Sequence, residues 1–568
     1  MSIQLILSHY LAGLKEREEL DALLPELLKT IGHSVLSRPQ VGVAQAGVDV
    51  VSTMTSEQGE TEVFLFVIKF GDVGRDDFYG GKQSIDPSIR EAANDFVRNR
   101  LEESLRGFRK RIVLLTNGVL KQEAQAGYSA LTKDIAERPQ CSLEFWGADQ
   151  LTPLIEQHLF DESLLLATGK SDLRAALAGL EESDPAIRRF IRFVSACFKA
   201  PDEEQTQSDA TRKRKFLKRC AAAAMGWGVL LVWGQQEGNL KPGVVAGEYL
   251  ALRMWAEAVR AGFTEYPPFE ERMRAVMLLL IKSLHEYYGK VAPQLVNRRA
   301  LLHYRPDRIL YADLVFEEFE RLATFLLLLQ RLEGHEELRA EVVTLIRRLL
   351  NEHTSYRLPV YDGQTIDLTL VLAALMGEKD WESAKRVTAN CTGSLVRAVA
   401  KDEYLPVDTD VLEDAIALGT GEAERREFFE TSSLVPALAL VAALLRDESI
   451  LQRLREEALP LMRDVTLERW FPTADLEILT GTGRSVSDVG VSRALAGLRN
   501  TALEEADAAR KNLPGAAVPS DFKWHGTPWS VLVALSARLH RHPLPTWFLA
   551  EYALPANDAE PDSQLKTD

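Results

Sequence analysis

Two charged residues stand where an apolar pattern would not place them. Asp49 sits in Gln45-Ala46-Gly47-Val48-Asp49-Val50-Val51, at the start of a run rich in Val and Thr. Lys69 closes Phe64-Leu65-Phe66-Val67-Ile68-Lys69, the strongest strand pattern of the chain. A charge at the end of such a run costs free energy unless it has a partner or opens into a site. A turn at 57–60 would lay the two runs side by side and bring the carboxylate next to the ammonium. An Asp beside a Lys suits metal-assisted phosphodiester hydrolysis. The carboxylate holds Mg²⁺, and the lysine orients or activates the attacking water and offsets developing negative charge.

The elements that must position this pair can be read from hydrophobic period. Residues 20–31 carry apolar residues at helical spacing and stop at Gly32. Residues 34–36 are a short extended piece, 47–54 a strand, and 62–70 a strand covered on both faces. A loop with four Gly and three Asp follows at 71–81. A long charged helix is expected at 87–105, a buried strand at 111–116, a helix at 120–136, a strand at 142–146 and a short helix at 150–158. The order is α-β-β-β-α-β-α-β-α.

That order, the phrase Gly47-Val48-Asp49-Val50 and a strand closing on Lys69 resemble the restriction-endonuclease-like PD-(D/E)xK nuclease superfamily. Within it the likeness is to the nuclease modules of bacterial restriction and phage-defence proteins. It covers about residues 15–160. The resemblance implies an α/β domain with an αβββαβ core. It implies a metal-dependent nuclease, with DNA placed ahead of RNA as substrate, acting as effector of an anti-phage system with Mg²⁺ or Mn²⁺ as cofactor.

One position departs from the family pattern. Two residues before the lysine the family carries Asp, Glu or sometimes Gln, and here stands Val67, which cannot bind metal. Some members draw the second acid from the next helix, and Glu91 is the expected substitute. Asp72, just past the strand, is a further candidate. Asp21 lies where related nucleases carry an acid on the first helix, and Gln45 is placed to shape the site. Glu62 points to the face opposite Lys69. The implied assignment is Asp49, Lys69 and Glu91 as catalytic residues, with Asp49, Glu91 and Asp72 on the metal. The other reading of Val67 is a catalytically inactive nuclease fold, kept as a scaffold or sensor subunit that binds protein partners.

Beyond residue 170 the helical period takes over, and the region is expected to be all-helical. The expected division is 1–165 nuclease-like, 166–210 connector and linker, 211–555 helical sensing or assembly region, and 556–568 a disordered tail. The 568 residues hold 67 Lys and Arg against 83 Asp and Glu, a net charge of −16. This excludes a generally basic nucleic-acid coat, so any contact with DNA or RNA needs a local patch or a bound divalent metal. The densest basic run is Arg212-Lys213-Arg214-Lys215, a candidate phosphate contact on a helix whose other face is Phe216 and Leu217.

Four scattered cysteines form no CxxC pair and fit a reducing cytoplasm. The 15-residue apolar run 220–234 is shorter than the roughly 20 residues of a membrane span, so a buried helix and no membrane partner are expected. Partner subunits or a homo-oligomer remain compatible with the helical region. HExxH and GxSxG motifs are absent. Thr480-Gly481-Thr482-Gly483-Arg484-Ser485 lacks the first Gly and the Lys of a P-loop.

Overall fold

The computed structural model describes residues 2–15, 19–37, 47–56, 59–80, 84–160, 170–199, 204, 206–401, 406–409, 411–422, 429–472, 490–510 and 527–555. Gln45, the 480–485 segment and the C-terminal 556–568 lie outside them.

A five-stranded mixed sheet forms the N-terminal part, in the order β1-β2-β3-β4-β5. Its strands are β1 (Ser34–Ser37), β2 (Val50–Thr55), β3 (Thr61–Lys69), β4 (Arg109–Thr116) and β5 (Cys141–Trp146). β1, β2 and β3 are antiparallel neighbours, and β3, β4 and β5 run parallel. The β2–β3 turn closes where Ser56 N–H donates to Glu60 O at 2.9 Å. Gly59, at φ +82°, supplies the left-handed residue that a tight hairpin needs.

Parallel pairing of β3 and β4 demands a crossover. It runs through α3 (Arg75–Tyr79) and α4 (Ile85–Glu91). The single long helix predicted over 87–105 is instead α4 passing directly into a π-helical stretch, Ala92–Arg100. Its end is marked by an i→i−5 bond from Leu101 N–H to Phe96 O.

One face of the sheet, with Val51, Val63, Leu65, Val67, Ile112 and Leu114, packs under Ile85, Ile89, Ala92 and Ala93 of the crossover. It also meets Leu131 and Ile135 of α5 (Gln122–Ala136). The opposite face carries Phe64 and Phe66 against His33 and Trp146. Beside β1 and β2 lies α2 (Asp21–Thr30), which also packs on α6 (Ala148–His158). The elements read from period between 20 and 158 are thus present in the expected order.

An N-terminal helix absent from that reading, α1 (Ser2–Ala12), precedes them. It packs against α6 and against α9 (Asp209–Gln236). The chain does not divide near residue 165. One compact unit is Met1–Leu250 with Phe263–Leu280, and the other is Ala251–Gly262 with Ile281–Asp568. The first continues past the sheet because α7 (Lys170–Ala178), α8 (Ser183–Phe198) and α9 pack on one another while α9 also holds α1.

Among the described residues α9 is the one helix long and apolar enough to cross a membrane, and 72% of its apolar window is buried in protein. That burial is what a core helix needs.

The second unit is mostly helical, and its helices include α13 (Arg308–Arg331), α14 (Glu336–Glu352), α15 (Gln364–Gly377) and α18 (Leu434–Leu444). The all-helical expectation needs one correction. A small sheet joins β6 (Thr431–Ser432), β7 (Thr466–Pro472) and β8 (Gly490–Ala494). Two residues of β6 cannot display a period, and β7 ends in a proline, so neither carries a legible strand signal.

Helix α13 is buried along most of its length and carries charge into that interior. Arg321, 2% exposed, donates to Glu318 Oε1 at 2.7 Å and to Glu317 Oε1 at 2.9 Å. Glu318 also accepts from the Tyr287 and Tyr288 hydroxyls at 2.9 and 3.3 Å. Glu320 and Asp367 are bridged by the Arg541 guanidinium at 2.7 and 2.5 Å.

Candidate active site

Asp49 stands one residue before β2. Its N–H donates to Phe66 O at 2.8 Å, and its carboxylate Oδ2 accepts from Ile68 N–H at 2.7 Å. The register pairs Val51 with Leu65 and Val50 with Phe66, so the next step sets Asp49 across from Val67. Strand alternation then puts Asp49, Val67 and Lys69 on the face shared by Val51 and Leu65. Lys69 ends β3 half-exposed, beside Thr116 of β4. Val67 is 1% exposed and belongs to the apolar core. Glu62 lies on the other face, where it pairs with Arg111 at 2.9 Å.

The segment leading into Asp49 touches the crossover helix through Gly47. This glycine has φ +78°, and a Cβ there would come within 2.4 Å of Ser88 O. A side chain at 47 would push α4 away, so glycine sets the approach. The residue that α4 brings to this point is Ser88. Glu91 is exposed, on the side of the helix away from buried Ile85, Ile89, Ala92 and Ala93. The apolar stripe that docks the helix is what turns Glu91 outward.

Asp72 is also drawn elsewhere. Its Oδ1 accepts from Val119 N–H at 3.1 Å, and its Oδ2 lies 3.8 Å from Lys121 Nζ. Val73 N–H donates to Val119 O, and Lys121 N–H donates to Val73 O. Asp72 thereby fastens the loop after β3 to the β4–α5 connection. Asp21 opens α2 with a partly exposed side chain.

The metal set Asp49, Glu91 and Asp72 expected from the resemblance is therefore not assembled. Among the described residues no group of three or more His, Cys, Asp and Glu side chains is placed to hold a metal ion. Val67 lies opposite Asp49 and adds no donor there.

The basic run lies in the first turns of α9 and is largely engaged within its own unit. Arg212 lies over the Phe263 ring at 5.5 Å. Lys213 pairs with Asp209 at 2.7 Å and lies over Tyr266 at 5.1 Å. Next in the chain, Lys218 pairs with Glu19 and Arg219 with Glu204. Phe216 packs among Phe198, Phe263 and Phe269. Arg214 is exposed and Lys215 half-buried.

Two polar residues near the sheet were not singled out by sequence. His33 is buried, with Nδ1 2.9 Å from Ser52 Oγ and its ring edge-on to Phe64 at 4.6 Å. Burial pulls its imidazole down to about 4. Asn117 is 3% exposed; its amide donates to Leu11 O at 2.7 Å and Leu14 O at 2.8 Å and accepts from Gly71 N–H at 2.8 Å. The pair Asn117-Gly118 reads in sequence as a strand terminator. Its second role, tying α1 to the loop after β3, had no local signal. Compared with known proteins, the chain matches no protein family, no curated protein and no solved structure.

Proposed function

We propose that the N-terminal module is a PD-(D/E)xK-type nuclease fold without the family's metal site. It acts as a scaffold or sensor subunit whose helical region meets protein partners, and its setting in anti-phage defence rests on the same resemblance. Val67 carries this reading. It faces Asp49 across the β2–β3 ladder, offers no lone pair and is buried in apolar core. Mg²⁺ at a phosphate is held by one or two carboxylates with waters; here the family's second acid is replaced by Val67, and the nearby helix turns its own acid, Glu91, outward.

The test is a cleavage assay on the full chain with plasmid DNA and single-stranded RNA, in Mg²⁺ and in Mn²⁺, beside calorimetric titration of each metal. The expected result is no cleavage and no metal heat in the parent, Asp49→Ala or Lys69→Ala. In Val67→Glu, Mn²⁺ heat should appear, because the missing acid is restored opposite Asp49. Metal-dependent cleavage by the parent that both alanine variants lose would overturn the proposal.

A second reading keeps hydrolysis. Asp49 and Lys69 share one face at the carboxyl end of β3, which is where open α/β sheets gather ligands. That reading expects DNA cleavage by the parent, and Glu91→Ala then decides whether α4 contributes an acid.

A further inference from the structure

The second unit holds a polar cavity of about 210 Å³ where short extended segments meet. Asp362 and Asp408 reach it from neighbouring segments, joined by the Tyr361–Val407 bridge and by Asp362 N–H to Val407 O at 2.7 Å. Asp408 Oδ2 takes the N–H groups of Glu430 and Thr431 at 2.7 and 3.1 Å. Thr431 pairs with Thr466 of β7, and two residues on, Glu468 lines the same space. The fold thus converges three carboxylates from three chain segments on one cavity.

Two arginines also line it, but both are neutralised by acids outside the lining. Arg541 is bridged by Glu320 and Asp367, and Arg469 pairs with Glu505 at 2.6 Å. Asp362 already accepts from the Ser433 and Leu434 N–H groups, so Glu468 and Asp408 are the carboxylates that make the interior acidic. One buried acceptor on its wall has no hydrogen-bond partner, the Thr365 hydroxyl, in a residue 6% exposed. A buried hydroxyl without a partner costs free energy that a bound ligand would return. Trp470 is held as a fixed wall, stacked on His542 at 5.4 Å and pressed against Gly490, where a Cβ would lie 2.0 Å from its ring nitrogen. Glu468 has no ion-pair or hydrogen-bond partner among the described residues.

We propose that this cavity binds a small primary amine, an alkylammonium ion of amino-acid size. Its three N–H donors match the acceptor capacity left on Glu468, Asp408 and the Thr365 hydroxyl. Its short chain lies along Ile366, Leu440 and Leu544. A volume below the roughly 300–1,000 Å³ of drug-sized pockets excludes larger ligands. The acidic interior excludes carboxylates and phosphates of the same size.

The test is calorimetric titration of the full chain with n-butylamine, 1-butanol, butanoate and tetramethylammonium. Butylamine is expected to bind with a Kd on the order of 1 mM or tighter. The neutral, anionic and donor-free analogues should bind at least about tenfold more weakly, because each lacks the charge or the N–H donors. Glu468→Gln and Asp408→Asn should each weaken butylamine about tenfold or more. Thr365→Val, which keeps shape and removes the hydroxyl, should weaken it about threefold or more. Circular dichroism and the melting temperature confirm the fold of each variant, and Glu468→Gln decides if Asp408→Asn does not fold. Preferential binding of butanoate, equal binding of tetramethylammonium, an unchanged affinity in Glu468→Gln, or no heat with butylamine overturns the proposal.

Discussion

The end of the β2–β3 ladder and the interior of α13 treat charge in opposite ways. At the ladder end, Asp49 and Lys69 are half-exposed, and the Asp49 carboxylate accepts from the Ile68 backbone N–H. In α13, Arg321 and Glu318 are almost wholly buried and pair with each other, with Glu317 and with two tyrosine hydroxyls. Water shares the cost of the first arrangement and is excluded from the second. Charge at the strand end is therefore tolerable with water beside it, whereas the buried charges of α13 depend on their partners. The comparison teaches that burial of an ionisable group marks architecture in this chain, and that the groups within reach of solvent and ligand are the half-exposed ones.

The sharpest way to break this contrast is Arg321→Met. It strands the Glu318 carboxylate in the core and should destabilise the chain by about 3–5 kcal/mol. Urea denaturation of parent and variant measures it, and Arg321→Met with Glu318→Gln should recover much of the loss. A variant as stable as the parent would show that the α13 charges are as tolerant as those of the strand end.

A smaller effect is expected at His33, which tests burial without charge. Its imidazole titrates near 4 in the folded chain and near 6.5 when unfolded, because burial favours the neutral form. The unfolded chain therefore binds the proton first. The His33 contribution is complete above about pH 6.5 and is lost as the pH falls toward 4. His542 is drawn down to about 4 by the same cause, so both act in one window. Denaturation midpoints across that window should fall less steeply in His33→Phe than in the parent, and equal slopes would remove His33 from the account.

The smallest effect is expected from Asp49→Asn. The amide oxygen can still accept from Ile68 N–H, so stability should change by about 1 kcal/mol, the difference between a charged and a neutral acceptor. A loss above about 2 kcal/mol in the same denaturation experiment would place Asp49 with the buried charges of α13 instead.

Much of the sheet was legible because its strands are long and apolar, and because Gly and Asn close them. Asp49 and Lys69 stood out for the same reason: each interrupts a pattern. Val67 was legible too, as an apolar residue where the resemblance asks for an acid. Glu91 falls on the exposed side of its helix, which sequence does not tell because it places the residue near a helix face without fixing the rotation. Ile89, Ala92 and Ala93 settle that rotation only once the helix docks. The Asp72 contact was not legible because its partner, Val119 N–H, lies 47 residues away. The α1 helix escaped because the elements it packs on lie far along the chain, and the β6–β8 sheet because β6 has two residues and β7 ends in a proline. The division of the chain escaped because α9 looks like the start of a new region yet packs on the first helix.

Asn117 gives the first unit an order of events. Its amide satisfies carbonyls at the end of α1 that lie 103 and 106 residues upstream. When the chain is made from its N-terminus, α1 emerges long before this partner exists. Its other packing surfaces, α6 and α9, emerge later still. The helix must wait with its apolar side uncovered while β1 to β4 are synthesised. Contacts of such separation close late, and they lengthen the interval in which a partly made chain can associate with others. The segment that opens the chain is thus among the last to find its place.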